Sequence, residues 1–295
     1  MNNPPLPVIV ITPRGMTSLG EWRELWAARD LWWFLVRRDL KTRYAQSVLG
    51  LGWAVVQPLF TTLILTLIFG KLMKAPSDGV PYAVWSLAAV VLWTFFQTAV
   101  NEAGNCLAAN MGVITKVYFP RLILPLAAVA GKIFDLIIMV GLLGIALVVS
   151  HAELVEANCH LQLAAWWEIP AALAVMIIAS LAAGLWLAGL SVQYRDVRVA
   201  QGLIFTVGMY VTPVIYPSSK VYLQNTVPAP WRELYFANPM AGAIEALRGA
   251  LFSHNTTSLR HVAIHLAMGA FIAIVGLVGG LWCFRRAENL VADVA

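Results

Sequence analysis

The feature that most constrains this chain is a set of long stretches without a formal charge. Between Arg43 and Lys71 lie 27 such residues, between Asp78 and Glu102 23, between Glu168 and Arg195 26, between Arg198 and Lys220 21, and between His265 and Arg285 19. A helix needs about 20 apolar residues to cross the hydrocarbon core of a bilayer. These five stretches therefore predict five spans. A sixth is expected from Leu122 to Ser150, where length demands a crossing although Lys132 and Asp135 interrupt it. Those two stand at i,i+3 and are expected to pair on one helix face.

Composition agrees. Of the 295 residues 60% are hydrophobic and 12% charged, with a mean hydropathy of +0.75. Soluble domains carry about 25% charged residues, so the bilayer is the solvent. Twelve tryptophans suit the headgroup region. No cleavable signal is expected, because the first apolar stretch, Leu6 to Ile11, is short and contains Pro7.

The net charge of +5 reads as the positive-inside bias, and no basic stripe on a soluble domain supports nucleic-acid binding. With six spans, fourteen Lys and Arg residues fall on the side of the termini and six on the other. Both termini are expected in the cytoplasm. Cys106, Cys159 and Cys283 are too scattered for a disulfide framework or a metal site. His261 and His265 at i,i+4 lack a third ligand, so no metal is expected.

Residues 30–48 read as an amphipathic helix at the membrane interface. Asp30 is the expected N-cap, and Trp33, Val36, Leu40 and Tyr44 recur at helical spacing among Arg37, Arg38, Lys41 and Arg43. These cations serve either as a topology anchor or as partners of a substrate phosphate or adjoining subunit. Asn238 and Pro239 read as N-cap and first residue of a helix carrying Met240, Ile244, Leu247 and Leu251, interrupted by Glu245 and Arg248. It is too short and charged to span, so a re-entrant or surface-lying helix on the outer side is expected. The connection from Ala108 to Pro125, with Asn110, Lys116, Tyr118, Pro120 and Arg121, either docks a soluble partner or merely turns the chain.

No G-x-x-x-x-G-K-S/T, H-E-x-x-H or C-x-x-C occurs, so no nucleotide engine is expected in this chain. Glu102 and Asp135 are the membrane-embedded acids, too few for a proton relay. Aromatics crowd the spans, and Gly276 and Gly280 make a G-x-x-x-G in the last one.

Three segments resemble the permease subunits of polysaccharide-export ABC transporters. They are LVRRDLKTRYAQSVLGLGWAVVQPL (Leu35 to Leu59), ITKVYFPRLILPL (Ile114 to Leu126) and NPMAGAIEALRGALF (Asn238 to Phe252). The likeness runs in order from about Asp30. It implies an all-α polytopic membrane protein of six transmembrane helices in the bacterial inner membrane. A cytoplasmic segment (1–29), an interface helix (30–48), a transmembrane domain (49–285) and a cytoplasmic tail (286–295) would follow in order. It implies a homodimer with two copies of a separate ATPase that binds ATP and Mg, and a polyprenyl-diphosphate-linked polysaccharide as cargo.

On that resemblance Asn110, Lys116, Tyr118 and Arg121 would couple to the ATPase, and Asn238, Pro239, Glu245 and Arg248 would belong to the outer gate. Arg37, Arg38, Lys41 and Arg43 would attract the lipid diphosphate, and Trp53, Phe60, Trp93, Phe205, Tyr210 and Tyr216 would offer stacking faces to sugars. O-antigen is the leading cargo, with capsule or teichoic acid as alternatives. A drug-type permease should lack the long R-D-L-K-x-R-Y match. An intramembrane transferase would need a cluster of acids or histidines, and a secondary transporter would need internal repeats.

Overall fold

The computed structural model describes residues 19–45, 49–157, 159, 165–194, 196–220, 228, 235, 237–252 and 259–294. Residues 46–48 of the expected interface helix lie outside them, as does most of 221–236. So do the side chains of Tyr44, Arg195, Arg232, Arg260, His160, His254 and His261. Most of the described residues are helical, and no strand occurs among them.

Two helices open the described chain, α1 (Leu19–Ala27) and α2 (Arg29–Ala45). Asp30 is not the N-cap expected of it. The amide of Ala28 bonds to the Glu24 carbonyl and that of Trp32 to the Ala28 carbonyl, so α1 runs almost directly into α2. Asp30 therefore sits in the first turn, where a carboxylate still favours the helix dipole. The buried side of α2 is Leu35 and Val36, packed near Ile123, Leu124 and Ala127. Of the expected stripe, Val36 is buried, Leu40 half-buried and Trp33 exposed.

Among the described residues five helices are long and apolar enough to cross a membrane. The first covers Gly50–Leu72, comprising a 3-10 turn, α3 (Trp53–Leu65) and a π-helical stretch, Thr66–Leu72. Then follow α4 (Tyr82–Ala109), the short α5 (Met111–Ile114), α6 (Ile123–Val149), α7 (His151–Glu156) and α8 (Glu168–Gln193). At about 1.5 Å per residue even the shortest of these crossings reaches the roughly 30 Å of a hydrocarbon core. Pro125, placed by sequence at the end of the connection, lies inside α6. It occupies the first turn, where no earlier carbonyl needs its missing N–H.

The expected fifth span differs. Its helix, α9 (Val197–Val211), has 15 residues, about 22 Å. Thr212 is extended at φ −93°, ψ 150°, the conformation favoured before a proline, here Pro213. A buried non-helical segment then continues the apolar stretch. After it come α10 (Pro239–Leu251) and α11 (Leu259–Val294), whose membrane-length portion is Val262–Glu288.

The long helix α4 is the hub. It touches α3, α6, α8, α9 and α10, and every residue from Val84 to Phe95 is buried. Between helices in lipid, close approach of small residues matters more than apolar burial itself. A Cβ on Gly184 of α8 would come 2.5 Å from the Ala103 Cβ of α4, and one on Gly242 of α10 would come 2.7 Å from the His265 carbonyl of α11. The G-x-x-x-G of α11 packs within the chain, against Ala182 of α8. Trp186 secures the same seam by donating to the Gly276 carbonyl at 2.9 Å.

The helix α10 is buried from Met240 to Leu251, lodged among α4, α8 and α11. A surface-lying helix would leave one face exposed, so that alternative does not describe its packing. Its cap is as expected: Pro239 is the first residue, and Asn238 Oδ1 accepts the Met240 N–H at 3.0 Å.

Candidate functional site

Polar groups gather at two ends of the bundle. At the α2 end, Arg43 reaches from the last turn of α2 to both α4 and α6. Its guanidinium lies 3.0 Å from Asp135 and 3.6 Å from Glu102, and Lys132 lies 3.4 Å from Asp135 and 3.5 Å from Glu102. Each cation faces both acids, so the four charges cancel. The expected Lys132–Asp135 pair is therefore present, inside a larger square. Lys132 and Asp135 are 7% and 8% exposed, and an isolated charge at such a site would be costly. Mutual neutralisation makes their burial tolerable.

One turn earlier, Arg38 contacts Asp39 at 2.9 Å and donates to Asn110 Oδ1 at 2.6 Å. Asn110 stands at the joint between α4 and α5, and its amide donates back to the Cys106 carbonyl at 2.8 Å. Thus α2 is fastened to the point where the connecting loop begins. A cavity of about 330 Å³ opens between these groups, lined by Arg38, Asp39, Thr42, Arg43, Glu102 and Asn110 among others.

The loop residues singled out by sequence divide into two sets. Lys116 is exposed and Tyr118 is 86% exposed. Asn110 and Arg121 are engaged, since Arg121 donates to the Glu288 carbonyl of α11 at 2.7 Å and stands 3.9 Å from its carboxylate. The loop is thereby tied at one end to α2 and at the other to α11.

The four basic residues of α2 singled out by sequence, Arg37, Arg38, Lys41 and Arg43, divide likewise. Arg38 and Arg43 are neutralised internally. Arg37 and Lys41 are exposed and have no carboxylate partner among the described residues. Arg37 lies over the Trp33 ring at 4.9 Å. Both cations border an apolar groove of about 800 Å³ formed with Leu40, Leu51, Phe134 and Ile137.

The aromatic residues do not form one stripe. Trp53, Phe60 and Tyr210 are exposed on α3 and α9. Trp93 and Phe205 are buried between α4 and α9, where Phe205 meets Phe96 edge-on at 6.3 Å. Tyr216 donates to the Val211 carbonyl at 3.3 Å and lies 6.5 Å from Tyr235, centroid to centroid.

At the α10 end, Arg248 is 2% exposed and Glu245 3%. The guanidinium lies 3.4 Å from the Trp85 ring centre and 3.5 Å from Glu245. It donates to the carbonyls of Pro213 (2.6 Å), Val214 (3.2 Å) and Trp85 (3.3 Å). These bonds satisfy backbone groups of the non-helical segment after α9, which would otherwise lie buried and unpaired. Burial pushes the Glu245 carboxyl above its usual range, while the Arg248 charge opposes the shift. Glu245 and Arg248 thus brace the protein interior. Asn238, placed with them by sequence, joins the same region by donating to Thr212 Oγ1 at 3.2 Å.

Sequence reasoning missed the joining of Arg43 to Glu102 and Asp135, and of Arg38 to Asn110. The signal present was four charged residues in or beside spans that can be buried only if they meet.

A family model described as ABC-2 type transporter matches residues 30–252. Among curated relatives, the O-antigen export system permease protein RfbA of Myxococcus xanthus is 26% identical over 235 residues, 79% of this chain and 84% of that one. A protein of the same name from Klebsiella pneumoniae is 25% identical over 84% of this chain and 90% of its own. The polysialic acid transport protein KpsM of Escherichia coli is 22% identical over 81% and 89%.

Proposed function

We infer the function from one premise: the chain belongs to the ABC-2 type transporter family. It is the permease of a polysaccharide exporter, with a polyprenyl-diphosphate-linked O-antigen as the leading cargo. The observation that carries this reading is the likeness to O-antigen export permeases along 84–90% of their length. Likeness to a polysialic acid transport protein and to a capsule polysaccharide export protein keeps capsular polysaccharide as the second cargo.

In this reading two copies form the channel in the bacterial inner membrane, both termini are cytoplasmic, and two copies of a separate ATPase bind ATP and Mg. The α2 end then faces the cytoplasm. Lys116 and Tyr118, exposed on the α5–α6 connection, offer the contact to the ATPase. A push on this loop is passed to α2 through Asn110–Arg38 and to α11 through Arg121–Glu288. The spans then shift as rigid bodies.

The two unpaired cations, Arg37 and Lys41, attract the lipid diphosphate, and the apolar groove beside them receives the carrier's hydrocarbon. Arg38 and Arg43 frame this site through their internal pairs. Trp53, Phe60 and Tyr210 offer exposed ring faces on which sugars can stack.

Complementation tests the reading. The chain is deleted and restored, with its ATPase, in a host that displays the glycan. Restored display is expected from the wild type, and reduced display from Arg37→Ala/Lys41→Ala, with assembly unchanged. Normal display after deletion would end the exporter reading.

A further inference from the structure

The two ends of α9 are held very differently. The helix buries two side chains, Gln201 and Phe205, both against α4. At its first half a cross-helix hydrogen bond runs from Gln201 Nε2 to Asn101 Oδ1 at 3.2 Å. Farther on it has Phe205 against Phe96 and the close approach of Gly208 to Trp93. Much of its remaining surface, including Val199, Leu203, Ile204 and Tyr210, is exposed.

Beyond its last turn the chain is fastened from several sides. Arg248 donates to the Pro213 and Val214 carbonyls, the Tyr82 hydroxyl donates to the Ile215 carbonyl at 2.8 Å, and Asn238 donates to Thr212. The Ser219 hydroxyl donates to Asp78 at 2.8 Å. Arg248 is itself immobilised by the Trp85 ring, the Trp85 carbonyl and Glu245.

We propose that Arg248 is the positioning residue of the export path: it pins the end of α9 to α4 and α10, so that α9 moves by swinging at its Gln201 end. The swing parts Gln201 from Asn101 and opens the α4–α9 seam. It uncovers Phe205 and the side of Phe96 that Phe205 covers in the closed packing, and so adds sugar-stacking surface to the path. This inference rests on the exporter reading for the identity of the cargo and not for the movement. A pinned end is required because the carbonyls of residues 213–215, paired with Arg248 and Tyr82, could not leave those donors within the membrane without penalty. At the other end the cross-helix hydrogen bond, between two neutral amides, sets no comparable barrier.

Two bridges test it, each made in the complex with the ATPase, with Cys106, Cys159 and Cys283 changed to Ala. Asn101→Cys/Gln201→Cys and, separately, Asp78→Cys/Ser219→Cys are joined by a short bis-methanethiosulfonate reagent. The first bridge should abolish glycan export until a reductant restores it, and the second should leave export in place. Export that survives the first bridge, or is lost equally under both, overturns the proposal. In parallel, Phe205→Cys should react faster with a water-soluble maleimide when the complex binds nucleotide, and the first bridge should remove that acceleration. This labelling needs no glycan. Labelling that responds without any export refutes the cargo while keeping the hinge, and labelling indifferent to nucleotide refutes the hinge. Arg248→Met should lower export per ATP hydrolysed, with partial rescue by Arg248→Lys. A fall in both activities in proportion to the folded protein would mean a purely structural role.

Discussion

Arg43 Nη1 stands 3.0 Å from Asp135 Oδ2, joining the last turn of α2 to α6 across 92 positions of sequence. Because Glu102 and Lys132 close the square, the loss of any one charge leaves an imbalance that the others cannot correct. Asp135→Asn leaves two cations facing one partly exposed acid, and should cost about 3–5 kcal/mol of stability. Adding Arg43→Met should recover part of the loss. Denaturant titration of the single and double variants checks this, and strict additivity would mean that the pair is uncoupled.

The Arg38–Asn110 bond predicts a separation of assembly from coupling. Arg38→Ala should leave the ATPase bound but reduce glycan-dependent stimulation of its hydrolysis. Lys116→Glu and Tyr118→Ala alter the exposed part of the loop and should instead weaken co-purification. Pull-down and ATPase assays on the same preparations distinguish the two outcomes.

For Glu245 the sign of a pH effect follows from its raised carboxyl. The folded protein holds this proton more tightly than the unfolded chain does. Stability should therefore increase as pH falls through the interval between the raised value and the ordinary 4.5. Glu245→Gln, neutral at all pH, should remove that slope while keeping the fold. Thermal unfolding across the acid range would show it.

Gly184 meets Ala103 too closely to admit a side chain, as a Cβ there would come 2.5 Å from the Ala103 Cβ. Gly184→Ala should cost about 1–3 kcal/mol through overpacking. Ala103→Gly, introduced with it, should restore most of the loss. A double variant no better than the single one would show that the contact is not the cause.

Much of the fold was legible because a bilayer makes span length and charge placement decisive. Four of the five neutral stretches of 19 to 27 residues appear as long helices. Leu122 to Ser150 also spans despite its two charges, because Arg43 and Glu102 complete their pairing. The stretch from Arg198 to Lys220 resisted reading, since hydropathy does not register the extended Thr212 before Pro213. Nor does it register that Arg248, some 35 positions later, would supply the missing hydrogen bonds. The Asn238 cap was legible because capping is local. The division of the α2 cations into paired and unpaired was not, because Arg43 finds its acids on α4 and α6 and Arg38 reaches Asn110 across 72 positions.

The central claim is tested most directly by transport itself. The chain and its ATPase are purified together, placed in proteoliposomes with the lipid-linked polysaccharide, and followed for glycan delivered to the opposite leaflet. The account predicts ATP-dependent delivery that Arg37→Ala/Lys41→Ala reduces while ATP binding persists. Delivery that proceeds equally without this chain, or a complex that hydrolyses ATP and moves no glycan, would contradict it.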